Sequence, residues 1–236
     1  MPCLIDKYAM DRYERQMIEI GSAGQAQLCA ARVLIVGVGG LGSAAALYLA
    51  GAGVGTIGLV DDDCVNITNL HRQVLYAEAD IGRRKVDAAA ERLHSINSEV
   101  VVEPYAMRLD TESAERVVGC YDVVIDGTDN YYTRYLLDEV CCRLGIPYIY
   151  GAIRGFEGQV SLFDRAHGTG RYSDLYPTSD EPSAEEYKGV VGPVAAVVGA
   201  VEASEALKVI AGCGTPLYGR LWSIDLRTMR TMEVEL

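Results

Sequence analysis

Residues 33–42, VLIVGVGGLG, join four apolar residues to a glycine-rich turn, and small apolar residues follow at helical spacing. This pattern predicts a buried strand, a tight turn and a helix. Gly37, Gly39 and Gly42 match G-x-G-x-x-G, and Asp61 ends the next apolar run. Glycines let a backbone approach phosphate closely, and the N-terminus of a helix offers free N–H groups to it. A turn without a ligand is the alternative, but a carboxylate placed to bind ribose favours a nucleotide.

The rest of the chain first alternates strand-like and helical patterns and then changes character. Strands are predicted at residues 33–36, 56–61, 99–104, 122–126, 147–151 and 157–163, with a closing hairpin at 221–225 and 229–236. Helices are predicted at residues 10–20, 25–31, 81–97, 113–118, 130–144 and 193–210, and a long polar loop at 164–188. This order predicts an α/β fold: a doubly wound, mostly parallel, Rossmann-like sheet with an N-terminal helical arm and an antiparallel C-terminal extension. We expect one domain, with the arm at 1–31, the core at 32–151 and the extension at 152–236.

The composition argues against several classes of protein. The 236 residues carry a formal charge of −12, and without a basic tail they are poorly suited to non-specific nucleic-acid binding. No apolar run reaches the roughly 18 residues that span a bilayer, and the N-terminus has no signal-peptide pattern. The seven cysteines are odd in number and irregularly spaced. They predict reduced thiols and a cytoplasmic protein.

Polar residues after the predicted strands indicate where the chemistry takes place. The glycine turn, Asp61 and Asp129 each follow a strand, and ligands of such sheets bind at these carboxyl ends. Arg83, Arg84 and Lys85 open a predicted helix, where the helix dipole disfavours each cation by about 0.3–1 kcal/mol. A bound polyanion would reverse that effect, and a triphosphate with magnesium fits the charges better than a pyrophosphate. The alternatives are a solvated basic patch for the cations and helix capping by Asp129 or Asn130.

Seven short motifs connect the chain to a known family. They are RYERQ (12–16), GVGGLG (37–42), VDDD (60–63), TNLHRQ (68–73), GRRK (82–85), DGTDN (126–130) and GVVGPV (189–194). With these motifs the chain resembles the ubiquitin-activating-enzyme-like family of ThiF, MoeB and HesA, which adenylylate small sulfur-carrier proteins. The resemblance covers nearly the whole chain, and TNLHRQ followed by DGTDN at this spacing is its most specific part.

The resemblance implies an ATP site, and its residues carry over one by one. The residues implied to act in catalysis are Arg15, Arg72, Lys85 and Asp129. Asp129 would hold magnesium, and Arg15 would reach into the site of a second copy. Asp61 would bind ribose, and Gly40 would lie against the phosphates. The other residues implied to line the nucleotide site are Gly37, Gly39, Gly42, Asp63, Thr68, Asn69, Leu70, His71, Gln73 and Asn130.

Two family features are missing from this sequence. Family members often hold a structural zinc between two C-x-x-C pairs, but the first pair falls on Arg171 and Asp174, and the second does not occur before Leu236. The covalent cysteine of the ThiF branch falls on Glu185. Tetrahedral structural zinc needs four ligands, so we expect no zinc. We also expect no cysteine to be needed for adenylate formation, and Cys64 is interpreted as a small residue at a strand end.

The resemblance implies ATP-dependent adenylylation of the C-terminal diglycine carboxylate of a ubiquitin-like sulfur-carrier protein, with release of pyrophosphate. A homodimer is expected, because the helix at 193–210 is apolar on nearly all sides. The core of a single chain does not easily account for so much apolar surface, whereas a two-fold interface would bury it. Three alternatives stay open: an NAD-dependent oxidoreductase, a superfamily member that adenylylates a small molecule or a modified tRNA base, and a non-catalytic subunit. The pathway is also open among thiamin, molybdopterin, cysteine and secondary metabolism.

Overall fold

A computed structural model describes residues 7–177 and 189–236 of the chain. Within these ranges the helices are α1 (Lys7–Ala30), α2 (Gly40–Ala52), α3 (Lys85–Ile96), α4 (Thr111–Val118), α5 (Tyr131–Leu144), α6 (Tyr172–Leu175) and α7 (Gly192–Ala211). The strands are β1 (Arg32–Val36), β2 (Thr56–Val60), β3 (Val101–Tyr105), β4 (Val123–Asp126), β5 (Tyr148–Arg154), β6 (Glu157–Phe163), β7 (Arg220–Asp225) and β8 (Arg230–Glu235). Short 3₁₀ turns lie at Ile67–Asn69, Glu78–Asp80 and Arg165–His167. None of the helices described is both long and apolar enough to cross a membrane.

The eight strands form one sheet in the order β3-β2-β1-β4-β5-β6-β7-β8. Strands β1 to β5 pair in parallel, and β6, β7 and β8 pair antiparallel. The predicted doubly wound sheet with an antiparallel extension is confirmed. At the end of β1, Val36 lies opposite Val60 of β2 on one side and Asp126 of β4 on the other. The strand order reverses here, so the carboxyl ends of β1, β2 and β4 open a crevice.

Helices cover both faces of the parallel part of the sheet. Side chains of α1, α2, α3 and α7 form one hydrophobic cluster, and those of α4, α5 and α6 form the other. Strand β1 contributes Val33 and Ile35 to the first cluster and Leu34 and Val36 to the second. Successive strand residues point to opposite faces, so a strand buried on both sides is apolar throughout. This explains why β1 shows no polar alternation in the sequence.

The N-terminal arm is a kinked helical segment that packs against the rest of the domain. Its kink is at Gly21, whose φ of 71° and ψ of 165° leave the helical region. Tyr13 is buried, and its hydroxyl accepts a hydrogen bond from Asn97 at 2.7 Å. A Cβ on Gly53, just past the end of α2, would overlap the Tyr13 ring. The start of α1 therefore lies at the end of α2 farthest from the glycine turn. The predicted N-terminal helical arm is confirmed, and its two predicted helices join at the Gly21 kink.

The largest differences from the predicted boundaries lie in two places. Helix α3 begins at Lys85 instead of residue 81, because a turn with Gly82 at φ 87° comes first. Part of the predicted polar loop, residues 164–177, contains a 3₁₀ turn and α6. The carboxylate of Asp138 accepts the Tyr172 N–H at 2.9 Å and so holds the start of α6. The remainder of that loop, residues 178–188, lies outside the described residues.

Helix α7 is covered by α1, α2 and the sheet. Added Cβ atoms show how close the contacts are: one on Gly24 of α1 would lie 3.2 Å from Ala211, and one on Gly158 of β6 would overlap Val198. The apolar character of α7 therefore has an explanation within a single chain. The burial of α7 therefore does not by itself require a second copy, contrary to the expectation from the sequence.

Candidate nucleotide site

Backbone contacts shape the glycine turn between β1 and α2. Gly37 has a φ of +88°, and a Cβ there would lie 2.8 Å from the carbonyl group of Gly127. A Cβ on Gly42 would overlap the carbonyl oxygen of Gly37. The Gly37 N–H also donates to the Val60 carbonyl of β2 at 2.8 Å. Only glycine fits at these two positions, because the contacting atoms belong to the backbone and cannot move aside.

The other two glycines of the motif meet different surroundings. A Cβ on Gly40 would press against the Ala195 side chain of α7 at 2.9 Å, so Gly40 permits close helix packing. A Cβ on Gly39 would make only ordinary contacts, with Gln73 Nε2 nearest at 3.7 Å. The first N–H groups of α2 have no partner within the helix, so this uncrowded stretch can receive an anion.

Asp61 and Lys85 meet at the carboxyl end of β2. Asp61 Oδ2 accepts the Val38 N–H at 2.8 Å, and its Oδ1 accepts the Asp63 N–H at 2.9 Å. Lys85 places Nζ 2.7 Å from Asp63 Oδ2 and 3.7 Å from Asp61 Oδ2, with only 6% of its side chain exposed. A buried ammonium is unfavourable unless paired, so the two carboxylates hold this cation beside the glycine turn.

The TNLHRQ loop folds compactly at the same edge. Asn66 Oδ1 accepts the Thr68 N–H, and Asn69 Oδ1 accepts the Asn66 N–H, each at 3.0 Å. Arg72 Nη1 donates to the Thr68 carbonyl at 3.0 Å. The Arg72 side chain also approaches the glycine turn, since a Cβ on Gly40 would lie 3.7 Å from Arg72 Cγ. Thr68 and Asn69 thus shape the loop, and Arg72 is the cation that it carries toward the crevice.

The other residues of this loop differ in exposure. His71 is exposed and its Nε2 lies 2.8 Å from Arg72 Nη1, whereas Leu70 is half-buried. Gln73 is buried, and its Oε1 has no hydrogen-bond partner among the described residues. A Cβ on Gly192 would overlap the His71 carbonyl oxygen, which places the start of α7 against the loop. The GVVGPV motif at the start of α7 therefore packs against the TNLHRQ loop.

The DGTDN turn after β4 is held by side chains. Asp126 is fully buried; its Oδ1 accepts the N–H and hydroxyl of Thr128 at 2.9 and 2.6 Å, and its Oδ2 accepts the Tyr148 hydroxyl at 2.5 Å. Asn130 Oδ1 accepts the Thr133 N–H at 2.9 Å, so the capping interpretation is confirmed for Asn130. Asp129 is exposed, and its carboxylate makes no hydrogen bond or ion pair within residues 7–177 and 189–236.

Several residues that support the site were not predicted. Arg134 of α5 and Glu202 of α7 are buried charged residues on helix faces that otherwise pack apolar residues. Burial raises the pKa of Glu202 well above its ordinary value; nearby Asp126 adds to the shift and Arg134 opposes it. The buried Tyr76 hydroxyl donates to the Val38 carbonyl of the glycine turn at 2.8 Å. Arg134 and Glu202 could have been found from the sequence, because each is a charged residue on an otherwise apolar face of a helix. No comparable sequence pattern indicates Tyr76.

Two sets of predicted cations are not brought into the crevice. Arg83 pairs with Asp80 at 2.8 Å and with Glu91, and Arg84 is exposed just before α3. The inference from three cations opening a helix is wrong for these two, since α3 starts after them. Arg15 is exposed on α1, whose Gln16 donates to the Ala52 carbonyl at the far end of α2. The 13 residues of α2 span about 20 Å, which separates Arg15 from the glycine turn of its own chain.

Two places offer oxygen ligands to a metal ion. Asp61, Asp62 and Asp63 are the one group of three carboxylate, histidine or cysteine ligands within 4.8 Å of one another in the part of the chain that the structure describes. Lys85 already neutralises part of this group. Asp129 has a free carboxylate, and hard cations such as Mg²⁺ bind through one or two carboxylates together with substrate phosphates. Asp129 therefore fits the predicted magnesium better.

The positions of the family's sulfur ligands carry other interactions here. The Arg171 N–H donates to Asp174 Oδ2 at 2.8 Å, and Arg171 Nη2 lies 3.0 Å from the buried Asp138 Oδ2. A capped turn and an ion pair thus hold residues 171–175. Glu185, at the position of the covalent cysteine, lies outside the described residues.

Comparison with known proteins gives one consistent family. The sequence model of the ThiF family matches residues 13–236. A sulfur carrier protein adenylyltransferase of Thermus thermophilus is 44% identical, covering 93% of this chain and 84% of that protein. A SAMP-activating enzyme E1 of Haloferax volcanii is 41% identical, covering 97% and 86%. A probable adenylyltransferase/sulfurtransferase MoeZ of Mycobacterium tuberculosis is 44% identical, and the similarity covers 94% of this chain but 59% of MoeZ.

Solved structures agree with this kinship. Escherichia coli MccB with ATP has a TM-score of 0.83 at 26% identity, covering 98% of this chain and 73% of that one. PaaA has a TM-score of 0.87 at 25% identity, covering 100% and 76%. The three sequence relatives are named as adenylyltransferases or as an activating enzyme, which decides against an NAD-dependent oxidoreductase and a non-catalytic subunit.

Proposed function

Since the chain belongs to the ThiF family and is an adenylyltransferase, we propose that it adenylylates the C-terminal carboxylate of a ubiquitin-like sulfur-carrier protein that ends in Gly-Gly. ATP with magnesium would be the second substrate, and pyrophosphate the first product. The names of two relatives, a sulfur carrier protein adenylyltransferase and a SAMP-activating enzyme E1, support this choice of partner. The free cysteines among the described residues support a reducing cytoplasm as its location.

One observation carries the proposal: the nearly buried Lys85 ammonium, held by Asp61 and Asp63 beside the glycine turn. The pyrophosphate of a dinucleotide can be bound by backbone N–H groups at a helix N-terminus alone. A fixed cation at that point adds stabilisation for charge that develops during phosphoryl-group chemistry. Arg72, whose side chain approaches Gly40, supports the same assignment.

The proposed reaction needs little acid–base chemistry. An oxygen of the carrier carboxylate bonds to the α-phosphorus of ATP, and the bond from that phosphorus to the bridging oxygen of pyrophosphate breaks. The carboxylate is ionised at neutral pH, so no general base is required. Lys85 and Arg72 would bind and orient the phosphates, which lowers the barrier by positioning and by charge neutralisation. Asp129 would hold magnesium, which supplies further charge neutralisation when bound.

We test the reaction by ATP–pyrophosphate exchange with a candidate sulfur carrier. Exchange should depend on the carrier and should disappear when its last two glycines are removed. Lys85→Ala and Arg72→Ala should abolish exchange, whereas Arg143→Ala, which removes an exposed arginine on α5, should not. Exchange with a small acid or an RNA but not with any carrier would favour the alternative substrates. The seven single Cys→Ser variants should all retain exchange.

We propose that the active site is shared across a homodimer. Arg15 lies far from the glycine turn of its own chain, so only a second copy can bring it to the triphosphate. Arg15→Ala and Asp129→Ala homodimers should each be inactive. Mixed dimers should regain activity, because one of their sites combines an intact Arg15 with an intact Asp129. If confirmed heterodimers stay inactive, Arg15 has no role in a partner's site.

We also propose that no structural zinc is bound. The positions of the first cysteine pair hold Arg171 and Asp174, which are engaged with each other and with Asp138. Elemental analysis of the purified protein should find far less than one zinc per chain. One zinc per chain that survives dialysis against a chelator would contradict the proposal.

A further inference from the structure

The guanidinium of Arg134 lies directly under the DGTDN turn. Its Nη2 donates to the Thr128 carbonyl at 2.9 Å, and its Nε lies 3.9 Å from Asp126 Oδ2. The side chain is 11% exposed. Thr128 immediately precedes Asp129, the exposed carboxylate predicted to hold magnesium. Arg134 therefore contacts the backbone next to the predicted metal ligand and not the ligand itself.

Keeping Arg134 charged in this position requires compensation. Burial opposes the charge, but Asp126 and the neighbouring tyrosine oxygens outweigh it and raise the pKa of Arg134. The guanidinium carbon also lies 5.7 Å from the centre of the Tyr131 ring and 5.4 Å from that of Tyr150. Such cation–π contacts attract a guanidinium to the face of an aromatic ring and involve arginine more often than lysine. The cation is thus fixed in place by groups from β4, β5 and α5.

The turn itself is held at each position except Asp129. Asp126 binds the N–H of Thr128, Arg134 binds its carbonyl, and Asn130 caps α5. The Asp129 side chain is free, but its backbone lies between two fixed neighbours. Loss of the Arg134 contact would release the Thr128 carbonyl and so change the direction of the Asp129 carboxylate.

We infer that Arg134 is a positioning residue that aims Asp129 at the magnesium–triphosphate complex. This inference rests on the proposed function. Arginine is required because its planar fork presents several N–H groups at once, so one can face Thr128 while another faces Asp126. Lysine would retain the charge opposite Asp126 but would lose this fixed geometry.

Calorimetric titration of ATP, with excess Mg²⁺ and with EDTA, tests the inference through binding alone. The measured quantity is the ratio of the two dissociation constants, which reports how much magnesium strengthens binding. Groups that orient metal ligands typically contribute about 10- to 100-fold to metal affinity. Arg134→Lys should therefore reduce the ratio about tenfold, while ATP affinity in EDTA should change less than about twofold.

A double-mutant cycle separates positioning from a structural effect. If Arg134 acts through Asp129, Arg134→Lys should have no further effect on the ratio in an Asp129→Asn background. Additive losses would overturn the inference. Arg143→Lys on the same helix, whose arginine pairs with Glu115 and Glu139 at the surface, is the matched control and should change nothing. If Arg134→Lys fails to fold, Tyr131→Leu should lower the ratio in the same direction, and an unchanged ratio there would also overturn the inference.

Failure of the proposed function gives a different result. A wild-type chain that binds ATP and supports carrier-dependent exchange, but shows additive losses in the cycle, disproves only the role of Arg134. A wild-type chain without exchange disproves the proposed function. If the ATP affinity of the wild-type chain does not depend on magnesium, Asp129 has no role in metal binding. The inference for Arg134 then fails as well.

Discussion

The glycine turn after β1 and the DGTDN turn after β4 adjoin each other at the same sheet edge, yet they are held by different means. Backbone atoms fix the glycine turn: Gly37 and Gly42 leave no room for a Cβ next to other main-chain atoms. Side chains fix the DGTDN turn, through Asp126, Arg134 and Tyr148. At Gly37 and Gly42, where backbone atoms crowd the turn, no side chain is tolerated. A turn built from side chains depends on charges that must balance.

The largest effect is expected where the backbone is most crowded. Gly37→Ala combines a left-handed φ, which costs about 1–2 kcal/mol for alanine, with overpacking that costs about 1–3 kcal/mol. Urea unfolding should show a loss of about 2–5 kcal/mol, and ATP binding should be lost. Gly51→Ala is the control, because a Cβ there meets nothing within 4 Å in α2. It should be neutral or stabilising by up to about 1 kcal/mol; equal losses in both variants would refute the backbone explanation.

The second effect concerns the charge balance below the DGTDN turn. Asp126→Asn leaves the buried Arg134 without its counter-charge and should destabilise the fold by about 3 kcal/mol. Tyr148→Phe removes one hydrogen bond to the same carboxylate and should cost about 1 kcal/mol. Chemical denaturation of both variants measures the difference. If the two losses are equal, the charge of Asp126 does not matter and the comparison between the two turns fails.

At Glu202, by contrast, a substitution is expected to increase the stability of the protein. Its carboxyl oxygens have no hydrogen-bond partners among the described residues, and burial raises its pKa. The native state therefore keeps a proton that the unfolded state releases above about pH 4.3. Wild-type stability should fall by up to about 1.4 kcal/mol per pH unit from there until the pH passes the raised pKa.

Glu202→Gln should remove this loss and make the protein more stable at neutral pH. Urea unfolding at pH 5 and pH 8 measures whether the advantage of the variant grows with pH. Glu99→Gln, which changes an exposed carboxyl, should give no such growth. A Glu202→Gln variant that is less stable than wild type at pH 8 would contradict this account, because it would show that the charged carboxylate stabilises the fold.

The smallest effect is expected from the hydrogen bond that the Tyr76 side chain makes to the glycine turn. Tyr76→Phe removes the hydroxyl that donates to the Val38 carbonyl and should cost about 1 kcal/mol, since a buried acceptor loses its partner. ATP affinity should change less than it does for Gly37→Ala. A loss of binding as complete as that of Gly37→Ala would show that this turn, too, depends on a side chain.

The same contrast explains what the sequence could predict. The glycine turn, Asp61 and the alternation of strands and helices along the chain follow from local patterns, because each depends on residues adjacent in sequence. The support of the DGTDN turn joins β4, α5 and β5, and no local pattern pairs Asp126 with Arg134 or Tyr148. The error at Arg83 and Arg84 has a related cause: Gly82 delays the helix, so their charges are paired outside it. Whether Arg15 acts in a second copy stays a prediction.

The strand order also sets a delay during synthesis. Val33 of β1 pairs with Val123 of β4, 123 − 33 = 90 residues later. At the usual elongation rate of about 5–20 residues per second, β1 waits roughly 5–20 s for its neighbour to leave the ribosome. Until then the glycine turn lacks Gly127 beside it, and an apolar strand edge remains open. Until β4 has emerged, the nascent chain is thus unable to complete this crevice and is exposed to aggregation along the open edge of β1.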